Sequence, residues 1–249
     1  MSMSFLEVIN IIVILVVIAV FIRYAWETFR EKPAQPESWK KALQEGRTSH
    51  ELRREEKKYS DKIRFFNWWL QVERLKKQEV NGCFAELGVY KGGSARILHL
   101  MDPARRFHLF DTFEGFPPRD LEKETGKAAT YTPQNFGDTS IEKARMHING
   151  NDNITFHTGY FPGSAKELEN EVFSLVNMDA DLFNPTKAGL EFFYPRLSPG
   201  GVILVHDYND NWPGIVKAVD DFSGGIPESP VLIPDLEGTV MIIKNQSGI

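Results

Sequence analysis

Four side chains that can bind a metal ion stand just after two apolar runs of this 249-residue chain. Asp179 and Asp181 follow the first run, and His206 and Asp207 follow the second. If the runs are neighbouring strands, the four side chains meet at one rim of a sheet. Crowded carboxylates repel each other unless a cation neutralises them, and a divalent ion with oxygen ligands does so. The pattern therefore predicts a metal at Asp179 and Asp207. The alternative is that Asp181 caps a following helix and Asp207 orders a loop.

A glycine-rich turn at 88–94 (GVYKGGS) follows another apolar run and is typical of a cofactor loop. Gly88 and Gly92 let the backbone turn tightly against a ligand, and Ser94 suits the start of a helix. Asp111 ends the next apolar run, where an acidic residue binds the ribose of a nucleoside cofactor. The spacing does not fit the G-x-G-x-x-G of nicotinamide sites, which favours S-adenosylmethionine, a nucleoside without phosphate. Such a turn also occurs for purely structural reasons.

Short apolar runs alternate with helical patterns through the body of the chain, which is typical of an α/β fold. The runs predict strands at 82–87, 107–110, 154–157, 172–178 and 202–206. The helical patterns lie at 93–101, 140–148, 164–171, 185–196 and 213–222. Two last strands, 231–234 and 239–244, are joined by a short turn and predict an antiparallel hairpin. We therefore predict a Rossmann-like, doubly wound, mostly parallel seven-stranded sheet with helices on both faces, which binds ligands at the carboxyl ends of its strands.

The N-terminus differs from the rest, because residues 5–22 are apolar apart from Glu7 and Asn10. Extended to Trp26, this stretch forms a helix of about 33 Å, enough to cross a hydrocarbon core of about 30 Å. A cleaved signal peptide would begin with positive charge and end at a small-residue site, and both features are missing. A buried helix of the main domain is the other alternative. Positive charges follow the span and none precede it, which predicts a membrane anchor through residues 5–26 with the body of the protein in the cytoplasm.

The remaining sequence divides into a linker, a helical segment and a main domain. We place the anchor and its flank at 1–30, the linker with two prolines at 31–37, a helical cap segment at 38–79 and the main domain at 80–249. An aromatic stripe within the cap segment either packs on the main domain or forms a wall of a substrate pocket; it contains Phe65, Trp68 and Trp69, followed by Val72 and Leu75.

Charge and cysteine content exclude some classes of protein. The net charge is −5 and there is no basic stripe, so we expect no nucleic-acid partner. The only cysteine, Cys83, lies in an apolar run and excludes an internal disulfide, which indicates a buried, reduced thiol. The composition is compatible with a homo-oligomer.

Five segments resemble the macrocin O-methyltransferase (TylF) family in sequence and in order. They are AELGVYKGGSARIL, FDTFEGFP, GYFPGS, MDADLFNPTKAGLEFFYPRLSPGGVILVHDY and PGIVKAVDDF, within about residues 60–245. The resemblance implies an O-methyltransferase that uses S-adenosylmethionine and a divalent metal to methylate sugar hydroxyls of macrolides and related molecules. Residues 178–208 are its most specific part, and the membrane anchor lies outside the family's core.

The resemblance also implies roles for individual residues. It assigns to cofactor binding Glu86, Gly88, Gly92, Ser94, Asp111 and Thr112, with Asp138 and Thr139 on the adenine side or at the pocket mouth. Asp179 matches the family's first acidic site residue, which is expected to bind the metal and to act as a base. Asp207 matches the second acid of an Asp-Asp-Tyr, whose first position is His206 here. Because Mg²⁺ prefers oxygen and imidazole suits transition metals, the ion is Mg²⁺ or Mn²⁺, and His206 is a metal ligand or a base.

The reaction that this implies is attack of a metal-bound acceptor hydroxyl on the sulfonium methyl group, after Asp179 or His206 has taken the proton. The acceptor would be a sugar or a glycosylated or lipid-linked molecule, since the catalytic domain is tethered to a membrane. The long polar loop 117–139 is either a lid or a surface insertion. Two other functions stay open: a metal-dependent glycosyltransferase using Asp179-Ala180-Asp181, and a non-catalytic membrane-tethered scaffold that binds the cofactor. The glycine spacing disfavours an NAD-dependent oxidoreductase.

Overall fold

The computed structural model describes residues 4–30 and 35–245, and the chain divides into two compact units after Pro36. The first unit contains one helix, α1 (Phe5–Arg30). Its stretch Phe5–Glu27 is long and apolar enough to cross a membrane, judged by length and composition, and its large apolar side chains are exposed. Most of the predicted linker, residues 31–34, lies outside the described residues.

The second unit is built around a seven-stranded sheet, as the sequence predicts. Its strands are β1 (Cys83–Leu87), β2 (Phe107–Asp111), β3 (Ile154–Thr158), β4 (Phe173–Met178), β5 (Leu197–Val205), β6 (Val231–Ile233) and β7 (Thr239–Ile243). The strand order is β3-β2-β1-β4-β5-β7-β6, and only the pairs that involve β7 are antiparallel. The order reverses direction between β1 and β4, so the crevice beyond those two strands is the expected place for a ligand.

Most of the helices lie where the patterns predict them. The helices of this unit are α2 (Glu37–Gln44), α3 (His50–Lys58), α4 (Lys62–Lys77), α5 (Gly93–Met101), α6 (Pro118–Leu121), α7 (Ile141–Ile148), α8 (Phe183–Phe193) and α9 (Pro213–Ser223). Helix α6 lies within the loop 117–139, where no helix was predicted. The pattern at 164–171 forms a 3₁₀ helix, Gly163–Leu168, instead of an α-helix. Its end is fixed by a turn in which the Glu171 amide donates to the Leu168 carbonyl and directs the chain into β4.

The aromatic stripe of the cap segment packs on the sheet, which settles one of the two interpretations of it. Phe65 and Trp68 are fully buried, and Trp39 of α2 packs edge-on against Phe65 with ring centroids 5.5 Å apart. Burying one such side chain contributes about 1.5–3 kcal/mol, so this layer anchors α4 firmly across one face of the sheet. Helices α8 and α9 pack on the other face.

The register of β4 and β5 brings the two acidic segments to the same height. Met178 pairs with Val205, and the His206 amide donates to the Met178 carbonyl at 2.9 Å. Asp179 and His206 therefore follow neighbouring strands and lie side by side at one rim of the sheet. This is the arrangement in which we expected the four side chains to meet.

Candidate active site

A cavity of about 550 Å³ opens at the carboxyl ends of β1, β2, β4 and β5. Its volume lies in the range of sites for small molecules. Residues predicted for the cofactor and for the metal line it together: Gly88, Ser94, Asp111, Thr112, Asp179, Asp181, His206 and Asp207. The cavity thus brings residues predicted to bind the cofactor next to residues predicted to bind the metal.

The acidic residues form one charged cluster on the wall of this cavity. His206 Nδ1 lies 3.2 Å from an oxygen of Asp179 and 3.0 Å from an oxygen of Asp207. One donor atom from each of these three residues lies within 4.8 Å of the others. Two carboxylate oxygens and one imidazole nitrogen are a donor set for a divalent ion, and the nitrogen favours a transition metal over Mg²⁺.

A fourth partner of the cluster, Arg64, comes from the cap segment. Its guanidinium donates to Asp179 Oδ2 at 3.0 Å and lies over the ring of Trp68. Arg64 was not predicted as a site residue, because it precedes Asp179 by 115 positions. One signal was present, however: Arg64 is one turn before Trp68, and so a charge lies on the buried face of the aromatic helix.

Charge in the cluster is distributed unequally. Burial opposes ionisation of Asp179, but Arg64 and His206 outweigh it and hold the pKa of Asp179 below its usual range. Burial would also lower the pKa of His206, but Asp179, aided by Asp207, raises that pKa to about 10. Burial, followed by the charges of Asp179 and Asp207, raises the pKa of Asp181 well above its usual range.

These pKa shifts change the argument for a metal. A metal is not the only group that can neutralise the carboxylates, because Arg64 and a protonated His206 already face Asp179. A metal ligand must be deprotonated. The donor set therefore fits a divalent ion only when His206 gives up its proton.

Two acids of the site adopt strained backbone conformations. Asp181 has φ +60° and Asp207 has φ +64°, in the left-handed region that residues with a Cβ rarely adopt. Asp181 lies three residues after the end of β4, and Asp207 lies two residues after the end of β5. Such strain is found at functional sites, where the surrounding structure enforces it.

The glycine turn contacts the acidic segment directly. A Cβ at Gly88, which has φ +89°, would lie 1.9 Å from the backbone oxygen of Asp179, so only glycine fits there. Gly93 also lines the cavity, and a Cβ there would meet no atom within 4 Å. At the start of α5 the cavity is therefore bounded by main-chain atoms. This leaves room for a bulky ligand against the glycine turn.

Asp111 lines the cavity and also holds the turn in place. One of its oxygens accepts from the amides of Val89 and Tyr90 at 2.8 Å, and the other accepts from the Phe113 amide at 2.7 Å. A carboxylate offers about four acceptor positions, so three are used and about one is left for a ribose hydroxyl. Asp111 is therefore compatible with its predicted role, at reduced capacity.

The other residues assigned to the cofactor do not line the cavity. Glu86 is fully buried and accepts from Asn177 Nδ2 at 2.8 Å. Gly92 caps the start of α5 and packs against Ile148. Asp138 is exposed and accepts from the Tyr90 hydroxyl and from Lys91, and the Thr139 hydroxyl donates to the Tyr90 carbonyl. In this structure these four residues stabilise the turn and its surroundings without lining the cavity. Their contact with the cofactor stays a prediction.

The loop 117–139 lies over the cavity and is held by specific contacts. Phe116 stacks on Tyr131, and both line the cavity with Lys127 and Phe136. The Lys127 amide donates to the Asn211 carbonyl just before α9. The loop therefore forms part of the wall of the cavity, and its role as a lid stays a prediction.

Comparison with known proteins gives one family. The family described as Macrocin-O-methyltransferase (TylF) matches residues 24–229. A curated relative from Streptomyces olivaceus, 8-demethyl-8-(2,3-dimethoxy-alpha-L-rhamnosyl)-tetracenomycin-C 4'-O-methyltransferase, is 27% identical over 68% of this chain and 67% of its own length. Mycinamicin III 3''-O-methyltransferase from Micromonospora griseorubida is 30% identical over 55% of this chain and 59% of its own length.

Solved structures agree on the fold. The O-methyltransferase NovP superposes with a TM-score of 0.62 at 24% identity, over 74% of this chain and 81% of its own. The calicheamicin methyltransferase CalS11 superposes with a TM-score of 0.55 at 25% identity, over 70% of this chain and 77% of its own.

Proposed function

The chain belongs to the macrocin O-methyltransferase (TylF) family, and we propose that it methylates a sugar hydroxyl of a membrane-associated acceptor, using S-adenosylmethionine and a divalent metal. The observation that carries this proposal is the convergence of the glycine turn, Asp111 and the cluster of Asp179, His206 and Asp207 in one cavity. A nucleoside cofactor and a hydroxyl activator are needed within reach of each other for methyl transfer, and the cavity offers both kinds of group.

The cofactor half of the cavity suits a nucleoside. Gly88 and Gly93 bring backbone to its surface, and Asp111 retains an acceptor position for ribose. The protein's part in the reaction on this side is to hold the sulfonium methyl group in line with the attacking oxygen, because positioning carries much of the acceleration.

The metal half would be formed by Asp179, His206 and Asp207, with Mg²⁺ or Mn²⁺ as the ion. When bound, the ion supplies positive charge that lowers the pKa of an acceptor hydroxyl and orients it. Arg64 keeps Asp179 ionised and ready as a ligand or as a proton acceptor.

The proton of the acceptor hydroxyl needs a base of suitable pKa. A general base works best when its pKa lies near the operating pH. With a pKa raised to about 10, His206 is protonated at neutral pH and accepts a proton only after losing its own. With the ion bound, His206 would be a deprotonated ligand, and Asp179, which stays ionised in the cluster, is the group that would take the proton.

The acceptor side contains features that suit a sugar. Trp212 is 2% exposed, lines the cavity, and its indole N–H has no hydrogen-bond partner among the described residues. A buried donor of this kind fits an acceptor hydroxyl, since leaving it unpaired costs about 1–3 kcal/mol. The curated relative named for a rhamnosyl substrate modifies a sugar, which supports the same class of acceptor here.

The helix α1 supports a membrane location for the acceptor. Its stretch Phe5–Glu27 precedes nearly all of the family match, which begins at residue 24. An anchor of this kind keeps the enzyme beside a lipid-linked sugar or a glycolipid in the cytoplasmic leaflet. Full activity on soluble sugars together with none on membrane lipids would contradict this part of the proposal.

The direct test of the metal role is Asp207→Ala in the full chain. We expect methyl transfer to fall about 100-fold or more, because an electrostatic stabiliser of the transition state is lost, while S-adenosylmethionine affinity stays nearly unchanged. Transfer of labelled methyl groups is measured into membrane lipids and into soluble deoxysugar glycosides. Asp210→Ala, at an exposed position nearby, is the matched control. Loss of cofactor affinity along with activity would show that Asp207 does not act through a metal.

A further inference from the structure

A second group of metal-binding side chains lies at the amino ends of the strands, opposite the cavity. Cys83 begins β1, His108 lies in β2 and Glu171 lies two residues before β4. One donor atom from each lies within 4.8 Å of the others. These atoms are a sulfur, a nitrogen and an oxygen, and none of the three residues is used by the proposed reaction.

His108 is oriented as a metal ligand would be. The residue is 6% exposed, and its Nδ1 atom lies 2.9 Å from Nε2 of His157. Its Nε2 atom is buried without a hydrogen-bond partner among the described residues and lies 3.9 Å from Glu171 Oε2. That distance is too long for a hydrogen bond. Ligand histidines typically hydrogen-bond through the other ring nitrogen, which fixes the ring.

The spacing is close to that of ligands around one ion. A nitrogen and an oxygen that are each about 2.0–2.2 Å from zinc lie at most about 4.3 Å apart, so 3.9 Å is within reach. A sulfur lies about 2.3 Å from zinc, so it is at most about 4.5 Å from the other two ligand atoms. The Cys83 sulfur lies within 4.8 Å of both donor atoms. Glu171 is partly exposed and gives an ion a path from solvent.

The surroundings supply the charge that the ligands need. Arg106 donates to both oxygens of Glu171 at 2.9 Å and helps to keep that carboxylate ionised. Burial, followed by the charge of Glu171, raises the pKa of the Cys83 thiol to about 11. Free Cys83 is therefore a thiol, and coordination to an ion deprotonates it.

We propose that Cys83, His108 and Glu171 form a second metal site, for Zn²⁺ or a similar borderline-soft divalent ion, with water as the fourth ligand. Binding forms a bond from the Cys83 sulfur to the ion and releases the thiol proton to solvent. The site ties together the starts of β1 and β2 and the chain entering β4. Mg²⁺ does not compete, because it prefers oxygen ligands.

The test uses Co²⁺ as a probe on the full chain in detergent, after chelation and with the thiol reduced. A thiolate bound to Co²⁺ gives a charge-transfer band in the near ultraviolet. Because Cys83 is the only cysteine, that band reports this site and not the cluster in the cavity. We expect the band to saturate at one ion per chain and to disappear when Zn²⁺ is added.

Two variants test proposed ligands, a third tests the outer partner of His108, and a fourth is a control. Cys83→Ser removes the band and leaves methyl transfer unchanged, and His108→Gln also removes the saturable band. His157→Phe keeps the stacking on Phe110 but weakens Co²⁺ binding about 10- to 100-fold, the usual effect of losing an outer-shell partner. His99→Gln, at another buried histidine outside the group, leaves the affinity unchanged.

Two results would overturn the proposal. The first is an unmodified protein that shows no band at Co²⁺ concentrations that fill the cluster in the cavity. The second is a band that His108→Gln leaves intact, because Cys83 would then bind without its neighbours. The first result needs no variant, so it decides the question even if the substituted proteins fail to fold.

Discussion

Arg64 determines how charge is balanced at the rim of the cavity. Arg64→Met removes the guanidinium and leaves the Asp179 carboxylate buried with one cation fewer. Breaking a buried ion pair from one side costs about 3–5 kcal/mol, so we expect the free energy of unfolding to fall by that order. We expect methyl transfer per folded molecule to fall as well, because the pKa of Asp179 rises. Urea unfolding and initial rates measure the two effects.

Arg96 provides the control for that prediction. It is as buried as Arg64, and it is paired with Glu55 at 3.1 Å away from the cavity. Arg96→Met should lose comparable stability but keep its rate per folded molecule, and Arg64→Lys should recover part of the lost rate. Equal rates in Arg64→Met and Arg96→Met would show that Arg64 has only a structural role.

Glu86 predicts a pH dependence of stability. Burial, partly offset by Ser94 and Asn177, raises its pKa from 4.5 to about 8. The folded protein therefore binds the Glu86 proton more tightly than the unfolded chain does. The stabilisation that comes from this proton is complete below about pH 4.5 and is lost as the pH rises to about 8. One pKa unit is worth about 1.4 kcal/mol, which sets an upper limit of about 5 kcal/mol.

The substitution Glu86→Gln isolates this contribution, because glutamine stays neutral at every pH. We expect the variant to gain stability over the unmodified protein progressively between pH 5 and 8. Chemical unfolding at several pH values measures the difference, with Glu122→Gln as an exposed control. A constant difference across this range would mean that Glu86 is ionised in the fold.

Residue identities at the site were predictable where they follow a strand. Asp179, His206 and Asp207 end buried strands, and parallel strands place such residues on one rim. Arg64 was not predictable, because its approach depends on how α4 packs across the sheet. Glu86 was assigned to cofactor binding from resemblance alone. Side chains alternate in direction along β1, and that of Glu86 points into the core next to Asn177.

Among the elements, the loop 117–139 makes a prediction through Gly126. This glycine has φ +62°, and a Cβ there would lie 2.5 Å from the Asn211 carbonyl oxygen. Gly126→Ala therefore pushes the loop away from the start of α9 and opens the cavity. We expect a lower rate and a stability loss of about 2–5 kcal/mol, from left-handed strain of about 1–2 kcal/mol plus overpacking of about 1–3 kcal/mol.

Gly46 separates these two causes. It has φ +67° and open space around its Cβ position, so Gly46→Ala suffers the strain alone. We expect a stability loss of about 1–2 kcal/mol there and an unchanged rate. Thermal unfolding and initial rates compare the pair. If Gly126→Ala retains the full rate, the loop does not serve as a lid.

Most elements of the fold were predictable from periodicity. The strands and most of the helices lie within a few residues of their predicted positions, because apolar runs between turn residues specify a buried parallel sheet. The 3₁₀ helix at Gly163–Leu168 was not predictable from periodicity. Its end depends on a turn whose hydrogen bond links residues three apart. The start of β5 at Leu197 was also missed, because Pro199 and Gly200 interrupt the apolar run there.

At the scale of the whole molecule, the anchor can be tested by removal. A chain that lacks residues 1–36 should fold and remain in solution, because the second unit, Glu37–Ile249, has its own core. If α1 is the proposed anchor, the full chain should stay in the membrane pellet after washing with alkaline carbonate, because a helix of this length and composition can span the bilayer. Circular dichroism and fractionation measure the two outcomes. Extraction of the full chain by carbonate would contradict an anchor, and aggregation of the truncated chain would contradict an independent core.

The central claim is that one cavity binds S-adenosylmethionine beside a metal cluster, and calorimetric titration of the cofactor into the full chain in detergent tests it most directly. The titration is run with and without Mg²⁺ or Mn²⁺. We predict saturable binding at one site per chain, retained in Asp207→Ala. No binding under any of these conditions would contradict the claim. Titration with a sugar nucleotide would then test the glycosyltransferase alternative at Asp179 and Asp181.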